Sequence, residues 1–161
     1  MKLPISAVRK DAIGRRPVED ARLQAQIRQH DDLVGLKILI VDDEPDSSEM
    51  LRIVFNQCGS IVETAESANA ALGIFDQWQP DILISDIGMP EVDGNELIRI
   101  IREERGSRIP AVALTAMARI EDRLKALTAG YQMHVAKPVE LKELIAIVSS
   151  LVGLVDRRVE P

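Results

Sequence analysis

Five strand-sized apolar runs separated by stretches with helical spacing constrain this chain more than any other feature. The runs are residues 37–41 (KILIV), 61–64 (IVET), 82–85 (ILIS), 111–114 (AVAL) and 132–135 (QMHV). The first, third and fourth are almost wholly apolar, which suits strands covered by helices on both faces. Between and after them, apolar residues recur at helical spacing: Met50, Leu51, Val54 and Phe55; Ala68, Ala71, Leu72 and Phe75; Leu97, Ile98 and Ile101; Ile120, Leu124 and Leu127; Leu141, Leu144, Ile145, Val148 and Leu151. Each set forms one stripe on a helix. Strands alternating with such helices predict an α/β fold on a parallel sheet, with five strands and five helices.

The punctuation agrees with that reading. Gly59 and Gly130 stand just past helix patterns, where a left-handed residue is wanted, and Pro80, Pro90, Pro110 and Pro138 fall in connections. Asp93 and Gly94 read as a turn entering the third helix. The alternation starts at Leu36 and runs to the end of the last stripe. We place one domain over residues 36–153, residues 1–35 as an N-terminal extension or linker with one modest helix over 17–29, and residues 154–161 as a short tail.

Composition narrows the functional classes. At 46% hydrophobic and 29% charged, the chain can bury a core. Its single cysteine, Cys58, cannot form an internal disulfide and reads as helix core. No apolar run approaches the roughly 20 residues of a membrane span and no signal-peptide pattern opens the chain, so the expected location is the cytoplasm, without membrane contact by this segment. The formal charge of −6 is uneven: residues 1–35 hold seven Lys/Arg and five Asp/Glu, and the remainder thirteen and twenty-one. An acidic domain with one Trp, one Tyr and two Phe lacks the basic stripe and aromatic platform that grip nucleic acid, so no direct nucleic-acid binding is expected.

In an open parallel sheet, ligands bind beyond the carboxyl ends of the strands. The residues that follow the apolar runs there are Asp42 and Asp43, then Asp86, Thr115, and Lys137 ahead of Pro138. Three carboxylates in one crevice ask for a counter-cation, and oxygen-only donors favour a hard ion such as Mg²⁺. Lys137 and Mg²⁺ can neutralise an incoming phosphoryl group, Thr115 can donate to one of its oxygens, and Asp86 lies centrally enough to be the nucleophile. Taken singly these residues are unremarkable: Asp42 and Asp43 could form a turn ahead of a helix opened by Pro45, and Thr115 could satisfy backbone. Their joint placement carries the chemistry.

The segments ILIVDDEPD (38–46), PDILISDIGMPEVDG (80–94), VALTAMA (112–118) and HVAKPVELKEL (134–144), in this order and spacing, resemble the receiver domain of two-component response regulators. The resemblance covers 36–152, about three quarters of the chain. It implies a doubly wound, flavodoxin-like sheet of order 2-1-3-4-5, Asp86 as phosphoacceptor, and Mg²⁺ held by Asp43, Asp86 and the Gly88 carbonyl directly and by Asp42 through water. It further implies that Thr115 and Lys137 contact the phosphoryl group and that Lys137–Pro138 is cis. Thr115 and His134 would act as switch residues, with His134 standing where Tyr or Phe is commoner. The implied donor is a phosphohistidine on a histidine kinase or phosphotransfer domain, and the implied response is a repacking of the fourth helix, fifth strand and fifth helix. Gly88 departs from the polar residue many receivers carry two positions after the phosphoacceptor.

The opening MKLPIS is similar to the closing strand of a histidine kinase ATPase domain, and LVGLKILIVDDEPD to the junction ahead of a hybrid kinase receiver. We therefore expect the C-terminal receiver of a hybrid histidine kinase, with an intramolecular kinase core as a possible donor, and a free-standing regulator as the competing context. Two other classes stand beside these: a pseudo-receiver that only binds proteins, and a Mg²⁺-dependent phosphatase, which would want an acid where Gly88 stands.

Overall fold

The computed structural model describes residues 31–116 and 119–159, with side chains described to residue 153. The 17–29 helix, the MKLPIS segment and the last two residues of VALTAMA lie outside the described residues. Five parallel strands form one sheet in the order β2-β1-β3-β4-β5: β1 Lys37–Val41, β2 Ile61–Ala65, β3 Ile82–Asp86, β4 Ala111–Thr115 and β5 Met133–Ala136. Five helices connect and follow them: α1 Pro45–Gln57, α2 Ala68–Trp78, α3 Gly94–Glu103, α4 Ile120–Ala129 and α5 Leu141–Val159. This is the doubly wound, flavodoxin-like arrangement expected.

Strand burial follows position in the sheet. Every residue of β3 and β4 is buried, as are four of five in β1, while the edge strands β2 and β5 are exposed or half-buried except at Ala65 and Val135. The apolar runs are thus the central strands, flanked by helices on both sides. One layer packs Leu51, Val54 and Phe55 of α1 and Leu144, Ile145 and Val148 of α5 on Ile38, Ile40, Ile82, Ile84, Val112 and Leu114. The opposite layer packs Phe75 of α2 and Leu97, Ile98 and Ile101 of α3 on Leu39, Val41, Leu83, Ala111 and Ala113.

Local signals account for the helix ends. Ser67 caps α2 by accepting from the Ala70 amide, and Asp93 caps α3 by accepting from the Glu96 amide. Pro45 opens α1. Gly59 and Gly130 both have positive φ, as their places past the helices require. Gln79, which ends α2, also has positive φ, 55°, a position the residue type did not announce.

Three features differ from the sequence reading. The packed body starts before residue 36: Asp31–Leu33 forms a 3₁₀ turn, Leu33 is fully buried against α5, and its carbonyl accepts from the Ser60 hydroxyl at 2.6 Å. Ser149 of α5 donates to Asp32 at 2.6 Å. At the other end α5 continues to Val159, past the boundary set at residue 153. The third difference is α4, whose expected core stripe is turned outward. Ile120, Leu124 and Leu127 are 70%, 56% and 41% exposed, and Ala126 and Ala129 are buried in their place. Met50 of α1 is likewise exposed.

Candidate phosphoryl site at the carboxyl edge of the sheet

The carboxyl ends of β1, β3, β4 and β5 converge on a cleft of about 420 Å³ whose lining includes Asp43, Asp86, Gly88, Thr115 and Lys137. Parallel register accounts for the convergence. Val41 pairs with Ser85, Asp86 with Leu114, and Thr115 with Ala136, so the residues after each strand emerge together. One carboxylate oxygen from each of Asp42, Asp43 and Asp86 lies within 4.8 Å of the other two. Asp42 and Asp86 are buried, and Asp43 is the most exposed of the three.

Lys137 sits between the two buried acids. Its Nζ lies 3.2 Å from Asp86 Oδ2 and 3.4 Å from Asp42 Oδ2. The β5–α5 connection aims it there: the Lys137 amide donates to the Thr115 carbonyl at 2.8 Å and the Lys137–Pro138 peptide is cis, as the resemblance implied. The second oxygens of the acids are held by backbone. Asp42 Oδ1 accepts from the Glu44 amide at 2.9 Å, and Asp86 Oδ1 from the Gly88 amide at 3.1 Å. Asp42 therefore fixes the turn ahead of α1 through one oxygen and meets Lys137 through the other.

Electrostatics follow from burial and pairing. Burial pushes the Asp42 carboxyl above its ordinary range, against the Glu44 amide and Lys137, which pull it down. For Lys137 burial opposes the charge, yet Asp86 and Asp42 outweigh it and hold the ammonium above its usual value. One half-buried ammonium thus balances part of the charge of a carboxylate cluster, leaving the cleft net negative.

The donor set fits a hydrated Mg²⁺. All the side-chain donors are oxygen, and such an ion keeps several waters that must find acceptors. Among the described residues, Asn95 Oδ1 and Asp122 Oδ2 are buried acceptors without a hydrogen-bond partner, and both residues line this same cleft. A Cβ on Gly88 would meet nothing within 4 Å, so the space beside Asp86 is open. Thr115 is buried at the end of β4, and His134 is half-buried on the edge strand β5, in register with Ala113.

Sequence reasoning did not find the groups behind Asp86. Tyr131, almost wholly buried, donates from its phenol to the Gly94 carbonyl at 2.7 Å, and the Ser85 hydroxyl donates to the Asp86 carbonyl at 3.0 Å. Arg102 of α3 forks onto the Gly130 carbonyl at 2.8 Å and the Ser107 carbonyl at 3.0 Å. Tyr131–Gly94 and Arg102–Gly130 are 37 and 28 residues apart, and neither residue type nor spacing signals these pairings.

Residues 38–149 match the response regulator receiver domain family. The chain is 45% identical over 117 residues to an uncharacterised 14.6 kDa protein from Leptolyngbya boryana, covering 72% of this chain and 89% of that one. It is 37% identical to the transcriptional regulatory protein TrcR of Mycobacterium tuberculosis, covering 69% of this chain and 43% of TrcR, so it spans less than half of that regulator. Among solved structures, the signal receiver domain of a signal transduction histidine kinase from Syntrophus aciditrophicus superposes with a TM-score of 0.69 at 30% identity, covering 76% of this chain and 94% of that one. No described helix is long and apolar enough to cross a membrane. With the doubly wound sheet and the acidic crevice at its carboxyl edge, these matches mean that the chain belongs to the response regulator receiver domain family of two-component systems.

Proposed function

We propose that Asp86 accepts a phosphoryl group from a phosphohistidine and that the acyl phosphate switches the α4-β5-α5 face. The observation that carries this reading is the placement of Asp86: a buried carboxylate 3.2 Å from Lys137 Nζ, within a cluster of three acids, beside an open cleft. An Asp86 oxygen attacks phosphorus in line, a P–O bond forms as the P–N bond breaks, and the histidine departs as neutral imidazole after taking up a proton. Lys137, already poised between Asp42 and Asp86, stabilises the transferring oxygens, and Thr115 donates to one of them. Asp43, Asp86, the Gly88 carbonyl and, through water, Asp42 would hold Mg²⁺, which when bound supplies charge neutralisation at the phosphoryl oxygens.

Once Asp86 is loaded, the Thr115 hydroxyl follows the phosphoryl group inward and His134 repacks behind it. This makes the domain a two-state element biased by a covalent charge. The donor is a histidine kinase or phosphotransfer domain, and the expected location is the cytoplasm. We favour attachment to a hybrid histidine kinase. The junction-like LVGLKILIVDDEPD segment and the similarity to a kinase-borne receiver support that context, whereas the 14.6 kDa relative favours a free-standing regulator.

The test is incubation with acetyl phosphate, with and without Mg²⁺, read by intact mass with Asp86→Asn as control. A Mg²⁺-dependent, hydroxylamine-labile adduct absent from the variant is expected. A chain that takes up no phosphoryl group under these conditions, while folded, is a binding-only pseudo-receiver.

A further inference from the structure

Behind the phosphoacceptor lies a buried polar chain that the mechanism above does not use. The Tyr131 phenol donates to the Gly94 carbonyl at 2.7 Å, and Ser85 donates to the Asp86 carbonyl at 3.0 Å. Gly94 closes the chain, because a Cβ there would stand 2.4 Å from the Asp86 carbonyl oxygen and 2.8 Å from Ile87 Cα. The first residue of α3 is thus pressed directly on the backbone that carries Asp86, and its amide donates back to the Ile87 carbonyl at 3.0 Å. Ser85 and Tyr131 are both buried in the middle of the sheet–α3 layer, where a polar group without a partner is costly.

From this arrangement we infer that Tyr131 and Ser85 are positioning residues for Asp86, fixing the backbone that aims its carboxylate and tying it to the α4–β5 connection. The inference rests on the phosphoacceptor reading. Each hydroxyl donates to a backbone carbonyl of this junction, Tyr131 to Gly94 and Ser85 to Asp86. Tyr131 holds the Gly94 carbonyl and Gly94 is pressed on the Asp86 carbonyl oxygen, so a shift of the Asp86 backbone is registered at Tyr131. The far end of this link is rigid. Arg102 holds the Gly130 carbonyl next to Tyr131, and a Cβ on Gly130 would stand 2.9 Å from Arg102 Cγ. Tyr131→Phe and Ser85→Ala remove a hydroxyl each and leave the apolar packing in place. Since aim at the nucleophile governs in-line transfer, they act on rate at saturation rather than on donor affinity.

The experiment is Mg²⁺-dependent phosphorylation by acetyl phosphate of wild type, Tyr131→Phe, Ser85→Ala and the double variant. Thermal unfolding of each confirms that it is folded. The expected result is a maximal rate about fivefold lower in Tyr131→Phe, a smaller loss in Ser85→Ala, a double variant no worse than the larger single, and half-saturation unchanged within about twofold. Tyr131 is the only tyrosine, so 3-fluorotyrosine labelling yields one ¹⁹F resonance. That resonance is expected to move when beryllium fluoride loads Asp86, and to move less in Ser85→Ala. Folded variants phosphorylated at the wild-type maximal rate, or a resonance indifferent to a loaded Asp86, overturn this inference alone. Absence of an adduct on the wild-type chain overturns the phosphoacceptor reading and this inference with it.

Discussion

Helices α3 and α4 lie side by side, and their sequences announce the same thing: three large aliphatic residues on one stripe. In α3 the stripe is kept inside, with Leu97, Ile98 and Ile101 fully buried. In α4 it faces solvent, and the helix is buried through Ala126 and Ala129, in the same core layer as Ala111 and Ala113 of β4. Burying a large aliphatic side chain contributes about 1.5–3 kcal/mol, whereas an alanine methyl contributes under about 1 kcal/mol. The α3 helix is therefore anchored and α4 lightly held, although both border the same cleft. A helix meant to hold a site still needs burial, while one meant to move or be recognised is better served by keeping its apolar face available.

The widest separation between the two helices is expected from truncation. Ile98→Ala should lose about 3 kcal/mol of unfolding free energy in urea, and Leu124→Ala less than about 0.5 kcal/mol. Comparable losses at both sites would break the comparison. Gly94→Ala sharpens it, because the anchor of α3 is also the support of Asp86. A methyl 2.4 Å from the Asp86 carbonyl should cost about 1–3 kcal/mol and slow phosphorylation further than stability explains.

Alkaline titration follows in size. Burial holds the Tyr131 phenol well above its ordinary value of about 10, so the folded chain keeps a proton that the unfolded chain releases. The corresponding stability is present below about pH 10 and is lost as pH rises above it. Phenolate absorbance should appear only together with loss of helical circular dichroism. The smallest effect concerns the opposite layer. Burial pushes the Cys58 thiol up to about 11, so alkylation at pH 8 should be slow in wild type and Leu124→Ala alike, and accelerate when Ile98→Ala opens the molecule.

What was legible in the sequence was whatever one segment states by itself. The runs KILIV, ILIS and AVAL, apolar without interruption, mark central strands, and a polar residue after such a run lands at the carboxyl edge because register is shared. That logic locates Asp42, Asp43, Asp86, Thr115 and Lys137, which the fold brings together. Periodicity establishes that α4 has a stripe and says nothing of which side the sheet will take. With alanines on the other face, the helix had two surfaces able to pack, and the smaller one, Ala126 and Ala129, is the one buried. The Tyr131–Gly94 and Arg102–Gly130 bonds join segments 37 and 28 residues apart, so no local pattern encodes them. The turn Asp31–Leu33 was hidden for a related reason: its one core residue, Leu33, sits in a charged stretch and is buried only because α5 reaches it.

Loading Asp86 should alter the lightly held α4 and leave α1 in place. Amide chemical-shift mapping with Mg²⁺ and beryllium fluoride tests it most directly, with Asp86→Asn alongside. The predicted result is saturable shifts running from Asp86 and Thr115 through α4 and His134 to α5, small shifts in α1 and β2, and none in the variant. Shifts confined to the residues around Asp86, or spread equally through α1 and α4, would contradict it.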